Sequence, residues 1–274
     1  MQDLFSTTFL LTIFAASIVA QGVFEAFPIS SSMHIMLADK YASIFSFTML
    51  AKEIMHLGSG LAFFAICFPF IKRILRDLWT HFFNSRNREI IKKDSIYSTC
   101  TSLKLVKKFI IITIPTIIIG YLIKDIALTK HELYFNLFAA TMLIIIDRKM
   151  QRRNSIISIC YKSCAIIGLL ICLALLPGFS RLGFTYTIFR LFHFRRFDAL
   201  FCTILVGIPI TLGAAFIGII NHFHNPLILL FIAASLLAGI VTYLIIPLTF
   251  LSLNYWWIYG VYRIALSAWL LLMK

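Results

Sequence analysis

Long apolar runs separated by short polar interruptions dominate the chain. Six of them, Ile44–Phe70, Phe109–Ile123, Leu133–Ile146, Ala199–Ile220, Leu227–Pro247 and Tyr255–Met273, approach or exceed the roughly 20 residues that carry a helix across a bilayer core. Each is predicted to be a transmembrane helix. Two further apolar stretches, Phe9–Leu37 and Ile156–Phe192, are interrupted near their middles, by "FPISSSMH" and "LPGFSRLGFT". Proline removes a backbone donor and clashes with the preceding turn, so Pro28 and Pro177 are expected to break both helices. No Lys or Arg precedes the run Phe9–Ala20, so it is expected to be structure and not a cleaved leader.

Charge orients this pattern. Residues 71–108 carry ten Lys or Arg and residues 147–162 carry five, and both segments are expected on the cytoplasmic side. Threading the spans between them closes without conflict if each broken stretch dips into the membrane and returns to its own side. The first hairpin then enters from outside and the second from the cytoplasm. The fold class that follows is an all-α polytopic membrane protein with six transmembrane helices and two broken re-entrant helical hairpins. It forms one domain, residues 1–274, as an inverted repeat of halves at about 1–147 and 148–274, with a cytoplasmic loop at 71–108. Interrupted segments at matching positions of two halves point to a midplane binding site.

Composition narrows the class. Hydrophobic residues make up 61% of the chain and charged ones 13%, too little polar surface for a soluble domain of this length. The net charge of +14 sits in the loops, so nucleic acid is not an expected partner and the lipid bilayer is. The six cysteines form no C-x-x-C pair and fall mostly in apolar runs, where cysteine packs as a small hydrophobe. Tyr255, Trp256 and Trp257 suit an interfacial belt.

The chemistry concentrates at the two breaks. The first offers Gln21, Glu25, Ser30, Ser31, Ser32 and His34, and the second Gly178, Ser180, Arg181, Gly183 and Thr185. Gln21 and Glu25, four apart, share one helical face. Glu25 is a carboxylate in an apolar run, where it needs a partner or a cavity, and Arg181 is the natural partner or co-ligand. Guanidinium geometry suits phosphate oxygens. The backbone of "PGFSRLG", opening a helix, could form an anion nest. Ser31 could attack phosphorus or place a water, with His34 or Glu25 as base. Glu25 with Gln21 could instead hold Mg²⁺ or Ca²⁺ bridging two phosphates. Plainer roles compete: Ser30–Ser32 as helix caps, His34 at the interface, Arg181 snorkelling. Lys52, Glu53 and His56 read more simply as a local helix pair than as a site. Arg263, deep in the last span, should line a cavity or pair with an acid.

"QGVFEAFPISSSMH" resembles the first signature of the undecaprenyl-diphosphate phosphatase family, also called bacitracin-resistance proteins, approximately E/Q-G-x-x-E-F-L-P-V-S-S-x-G-H. "LALLPGFSRLGFT" resembles its second, close to L-x-P-G-x-S-R-S-G-x-T. Weaker similarities at "HLGSGLAF", "IPTIIIGYLIKD", "RRFDALFCTILVGIP" and "VYRIALS" extend it over most of the chain. The resemblance implies a bacterial plasma (inner) membrane hydrolase that converts undecaprenyl diphosphate to undecaprenyl phosphate and inorganic phosphate, recycling the cell-wall lipid carrier, with bacitracin competing for the substrate. It implies catalytic roles for Glu25, Ser31, His34 and Arg181. Substrate contacts would fall to Gln21, Ser30, Gly178, Ser180, Gly183 and Arg196, and Glu25 would be the ligand of a divalent cation, Mg²⁺ or Ca²⁺. Ala26, Met33, Leu182, Ile171, Lys52 and Gln21 depart from the family pattern. A transporter or flippase of a lipid phosphate stays open as the alternative, as does a homodimer.

Overall fold

A computed structural model describes residues 18–31, 33–34, 46–83, 93–123, 131–151 and 154–272. The described residues are almost entirely helical. Helix α1 covers residues 18–26, α2 Ser46–Phe83, α3 Lys93–Ile123, α4 Glu132–Lys149, α5 Tyr161–Ile171, α6 Arg181–Leu191, α7 Arg196–Asn221, α8 Ile228–Leu251 and α9 Trp256–Leu272. The predicted breaks are present. The first lies at 27–30, between α1 and a helical turn that includes Ser31, Met33 and His34. The second follows a 3₁₀ turn at Cys172–Leu175 and ends at Ser180, which caps α6. Much of the predicted cytoplasmic loop 71–108 is helical, because α2 runs on to Phe83 and α3 begins at Lys93.

Among the described residues, four helical stretches are long and apolar enough to cross a bilayer: Glu53–Thr80, Thr101–Ile123, Arg196–Asn221 and Ile228–Leu251. Their packing is that of helices in lipid. On α8 the small and polar residues Ala234, Ser235, Ala238 and Thr242 are buried, while Leu229, Leu237 and Leu244 are exposed. In lipid, large apolar side chains lose nothing by facing outward, and small residues let backbones approach. Gly58 of α2 shows how close that approach is: a Cβ there would sit 1.7 Å from the Ser235 carbonyl oxygen. The Ser235 hydroxyl, in return, accepts from the Gly58 N–H at 2.8 Å and donates to the Met55 carbonyl.

The helices pair across the two halves. Helix α2 packs on α7 and α8, α3 on α5 and α7, and α4 on α9 and α6. Helix α2 thus meets α7 directly, and α4 meets α9. The Thr242 hydroxyl of α8 donates to the Gly22 carbonyl at 3.1 Å and fixes α1. The expected interfacial belt is only partly one. Tyr255 is 61% exposed, but Trp256 is fully buried, its ring centroid 4.2 Å from that of Tyr186 and tilted against it, and its indole donating to the Thr249 carbonyl. Its indole finds a polar partner inside the bundle, which an interfacial position would not require.

Candidate active site

The two breaks touch. The Ser180 hydroxyl donates to the Ile29 carbonyl at 3.1 Å and accepts from the Gly183 N–H, so one side chain both caps α6 and fastens the second break to the first. Gly183 permits this: a Cβ there would lie 3.0 Å from Pro28 Cβ. Gly178 turns the chain with φ +93°, and a Cβ would meet the Glu132 carbonyl oxygen at 2.3 Å. That is the left-handed region where glycine carries no steric penalty. Behind the turn, Arg263 donates from Nη2 to the carbonyls of Gly178 and Phe179, at 2.7 and 3.1 Å.

This junction assembles a cluster of polar groups around Glu25. Its Oε1 accepts from Gln21 Nε2 at 3.2 Å and from the Ser31 hydroxyl at 3.4 Å, and faces His56 Nδ1 at 3.5 Å. Its Oε2 lies 3.6 Å from Arg181 Nη2. The same Arg181 nitrogen is 3.0 and 3.1 Å from the two ring nitrogens of His56. A guanidinium only donates, so the imidazole nitrogen it reaches presents a lone pair. One neutral tautomer serves both neighbours: Nδ1–H toward Glu25 and Nε2 accepting from Arg181. Glu25, Ser30, Ser31, His56, Ser180 and Arg181 line one cavity of roughly 190 Å³, well above the ~10–15 Å³ that admits a water. Its other wall is apolar, with Ala174, Leu175, Leu176 and Ile210. Beneath the Glu25–Arg181 pair a crevice of about 10 Å³ is also lined by Thr185. The buried hydroxyl of Thr185 has no hydrogen-bond partner among the described residues.

Against known proteins, the family model "Bacitracin resistance protein BacA" matches residues 13–269. The chain belongs to this family. The undecaprenyl-diphosphatase of Pelagibacter ubique is 31% identical over 263 residues, covering 91% of this chain and 92% of its own. That of Geotalea daltonii is 32% identical over 216 residues, 75% of each chain. That of Lachnoclostridium phytofermentans is 28% identical over 270 residues, 91% and 92% of the two chains. With its four membrane-length apolar helices, this BacA-family chain is a membrane protein.

The BacA-family residues picked out by sequence do not all gather at the cavity. Glu25, Ser30, Ser31, Ser180 and Arg181 do, Gln21 joins them only through its bond to Glu25, and Ser32 and the side chain of Lys52 lie outside the described residues. His34 does not face Glu25. Its Nδ1 is 2.7 Å from the Ser30 carbonyl, which makes Nδ1 the donor, and its Nε2 accepts from the Tyr262 hydroxyl at 2.7 Å. The ring is stacked on Phe24 at 4.3 Å. Both nitrogens are thereby engaged away from the carboxylate.

Arg196 is at the other end of α6. Its Nε and Nη2 donate to the two carboxylate oxygens of Asp147 at 3.0 and 3.1 Å, and its Nη1 donates to Asn254. Arg190 and the Tyr186 hydroxyl join the same carboxylate, at 3.3 and 2.6 Å. Nine residues of α6 separate Arg190 from Arg181, about 14 Å at 1.5 Å per residue, so Arg196 serves a structural ion cluster and not the cavity. Arg263 also departs from expectation: its Nε donates at 2.8 Å to Asn136, a neutral amide and not an acid.

The member that sequence reasoning passed over is His56. Its signal was a histidine three residues from Glu53 within an otherwise apolar run, which a local helix pair explains equally well. Only the contact of α2 with the second break sets it apart. Histidine, cysteine and carboxylate side chains form no cluster of three or more able to hold a metal among the described residues. Glu25, with the amide of Gln21 and the hydroxyl of Ser31 beside it, is an oxygen set that a hard cation could complete with substrate phosphates and water.

Proposed function

We propose that this BacA-family chain is an undecaprenyl-diphosphate phosphatase of the bacterial plasma membrane. The observation that carries this is the single cavity in which a carboxylate, a serine hydroxyl that donates to it and a guanidinium converge across two helix breaks. The curated relatives named undecaprenyl-diphosphatase support the substrate. Its polar wall suits a diphosphate, and its apolar wall suits the start of an isoprenoid tail.

In the proposed reaction Arg181 grips the terminal phosphate, aided by the positive end of the α6 dipole. Glu25 takes the proton of the Ser31 hydroxyl as its oxygen attacks the terminal phosphorus. The bond to the bridging oxygen breaks, that oxygen takes the proton from Glu25, and the polyprenyl monophosphate leaves. Water then attacks the phosphoserine as Glu25 takes its proton, the bond from phosphorus to Ser31 Oγ breaks, and Glu25 returns the proton to Ser31 as inorganic phosphate leaves. A divalent cation, Mg²⁺ or Ca²⁺, would be held by Glu25, Gln21 and Ser31 and would offset charge on the diphosphate.

Around this site the proposed topology is six spans, α2, α3, α4, α7, α8 and α9, with the two interrupted units as re-entrant hairpins. The pairing of equivalent helices, α2 with α7 and α4 with α9, supports it. The first break would open to the outer face. Cysteine labelling across the membrane tests this, because reaction of a cysteine at Ser31 from the cytoplasm alone would contradict it.

The deciding experiment is phosphate release from undecaprenyl diphosphate by purified protein, with Glu25→Gln and Arg181→Ala alongside. Release by the wild type, lost in both variants, is the expected result. If folded wild type releases none from any isoprenoid diphosphate, transport of a lipid phosphate becomes the better account. A transporter would need the anion site but not the serine beside the carboxylate.

A further inference from the structure

Two carboxylate–guanidinium pairs in this protein are built differently. At the far end of α6, Asp147 and Arg196 close into a bidentate pair with oxygen–nitrogen distances of 3.0 and 3.1 Å. At the cavity, Glu25 and Arg181 stand open at 3.6 Å, beyond hydrogen-bond length. The groups themselves are equivalent, and both carboxylates are at least nine-tenths buried. Asp147 is also held by Arg190 and the Tyr186 hydroxyl, whereas an imidazole stands beside the Glu25–Arg181 pair. Arg181 Nη2 donates to His56 Nε2 at 3.1 Å, and His56 Nδ1 faces Glu25 Oε1 at 3.5 Å.

We infer that His56 is a positioning residue that holds the Glu25–Arg181 pair open, so that both charged groups stay available to a diphosphate. An unobstructed carboxylate and guanidinium at this burial would collapse into the parallel two-bond pair that such groups favour. The guanidinium would then spend its strongest donors on Glu25, and a phosphate oxygen would have to displace a carboxylate to reach it. Glu25 would likewise lose the freedom to accept from Ser31. By accepting from Arg181 and standing beside Glu25, a neutral imidazole engages the guanidinium singly and leaves the rest of both charged groups facing the cavity. His56 sits on α2, in a different element from either partner, so the spacing is set by helix packing and does not follow from the two break motifs. This role rests on the phosphatase reading for its purpose but not for its geometry.

The test combines an activity-independent readout with turnover. Binding of inorganic pyrophosphate to the purified full chain is measured by calorimetry for wild type, His56→Leu, His56→Gln and the double variant His56→Leu/Glu25→Gln. Leucine fills the space without a donor or acceptor, and affinity should fall about 10- to 100-fold, the scale of one charge-assisted hydrogen bond. Glutamine can accept from Arg181 and donate to Glu25 and should recover most of that loss. The double variant removes the sequestering carboxylate and should also recover binding. With undecaprenyl diphosphate, His56→Leu should raise KM more than it lowers kcat, since the ground-state grip is what is lost. Wild-type-like pyrophosphate affinity in His56→Leu overturns the inference. So does a double variant as weak as His56→Leu, or a wild type that binds no pyrophosphate. If the binding pattern holds while wild type hydrolyses nothing, the phosphatase reading fails and the positioning role stands.

Discussion

Asp147 offers the sharpest test of how the second hairpin is held. It is 1% exposed, accepts from Tyr186 and Arg196 and forms an ion pair with Arg190, so a single carboxylate joins α4, α6 and α7. In Asp147→Ala two guanidinium groups lose their only acidic partner among the described residues. Arg190 is 2% exposed, so water does not replace it there. Breaking a buried pair by removing one partner costs about 3–5 kcal/mol. The lower part of that range applies, because Arg190 keeps the carbonyls of Phe194 and Met150 and Arg196 keeps Asn254. At roughly 2–4 °C per kcal/mol for a chain of this size, the midpoint should fall by about 10 °C. Thermal unfolding in detergent, followed by size-exclusion recovery, measures it. Turnover per folded molecule at low temperature should stay within about threefold of wild type, since the cluster lies a helix length, about 14 Å, from Arg181. A midpoint shift below about 2 °C would refute the assignment of Asp147 as the charge that holds these helices. So would a selective loss of activity in fully folded protein.

Other consequences can be checked in parallel. Gly178→Ala places a Cβ against the Glu132 carbonyl at a positive φ, so folded yield should drop sharply by fluorescence-detected size exclusion. Arg181→Lys keeps the charge but not the planar fork, and kcat/KM for undecaprenyl diphosphate should fall about 100-fold, in line with the loss of a charge-assisted contact. Tyr262→Phe removes the hydroxyl that donates to His34. It should cost about 1 kcal/mol of stability with little change in kcat, whereas a large kcat loss would place His34 in the chemistry. In Ser31→Ala, phosphate release should vanish while pyrophosphate still binds, and phosphoserine trapped from wild type by rapid acid quench would identify the covalent step.

Much of this was legible in the chain itself. Apolar runs marked the helices, since a bilayer-spanning segment needs one unbroken stretch of apolar side chains. Pro28 and Pro177 marked the breaks only together with the serines and glycine beside them, because Pro69, Pro115, Pro209 and Pro247 lie inside α2, α3, α7 and α8. Gln21 and Glu25 were fixed on one face by helical spacing alone, and the signatures around them pointed to Ser31 and Arg181. What tertiary structure decided was the partnership of side chains from different elements. His34 was near Glu25 in sequence, yet its ring turned to Tyr262 of α9. His56, on α2, came to the carboxylate instead. Arg196, adjacent to the second hairpin in sequence, was claimed by Asp147 at the end of α4, and Arg263 found carbonyls and an amide where an acid was expected. Local spacing determines which residues share a face. Which faces meet depends on how closely Gly58, Gly183 and Gly178 let backbones approach, and no pattern along one segment encodes that distance.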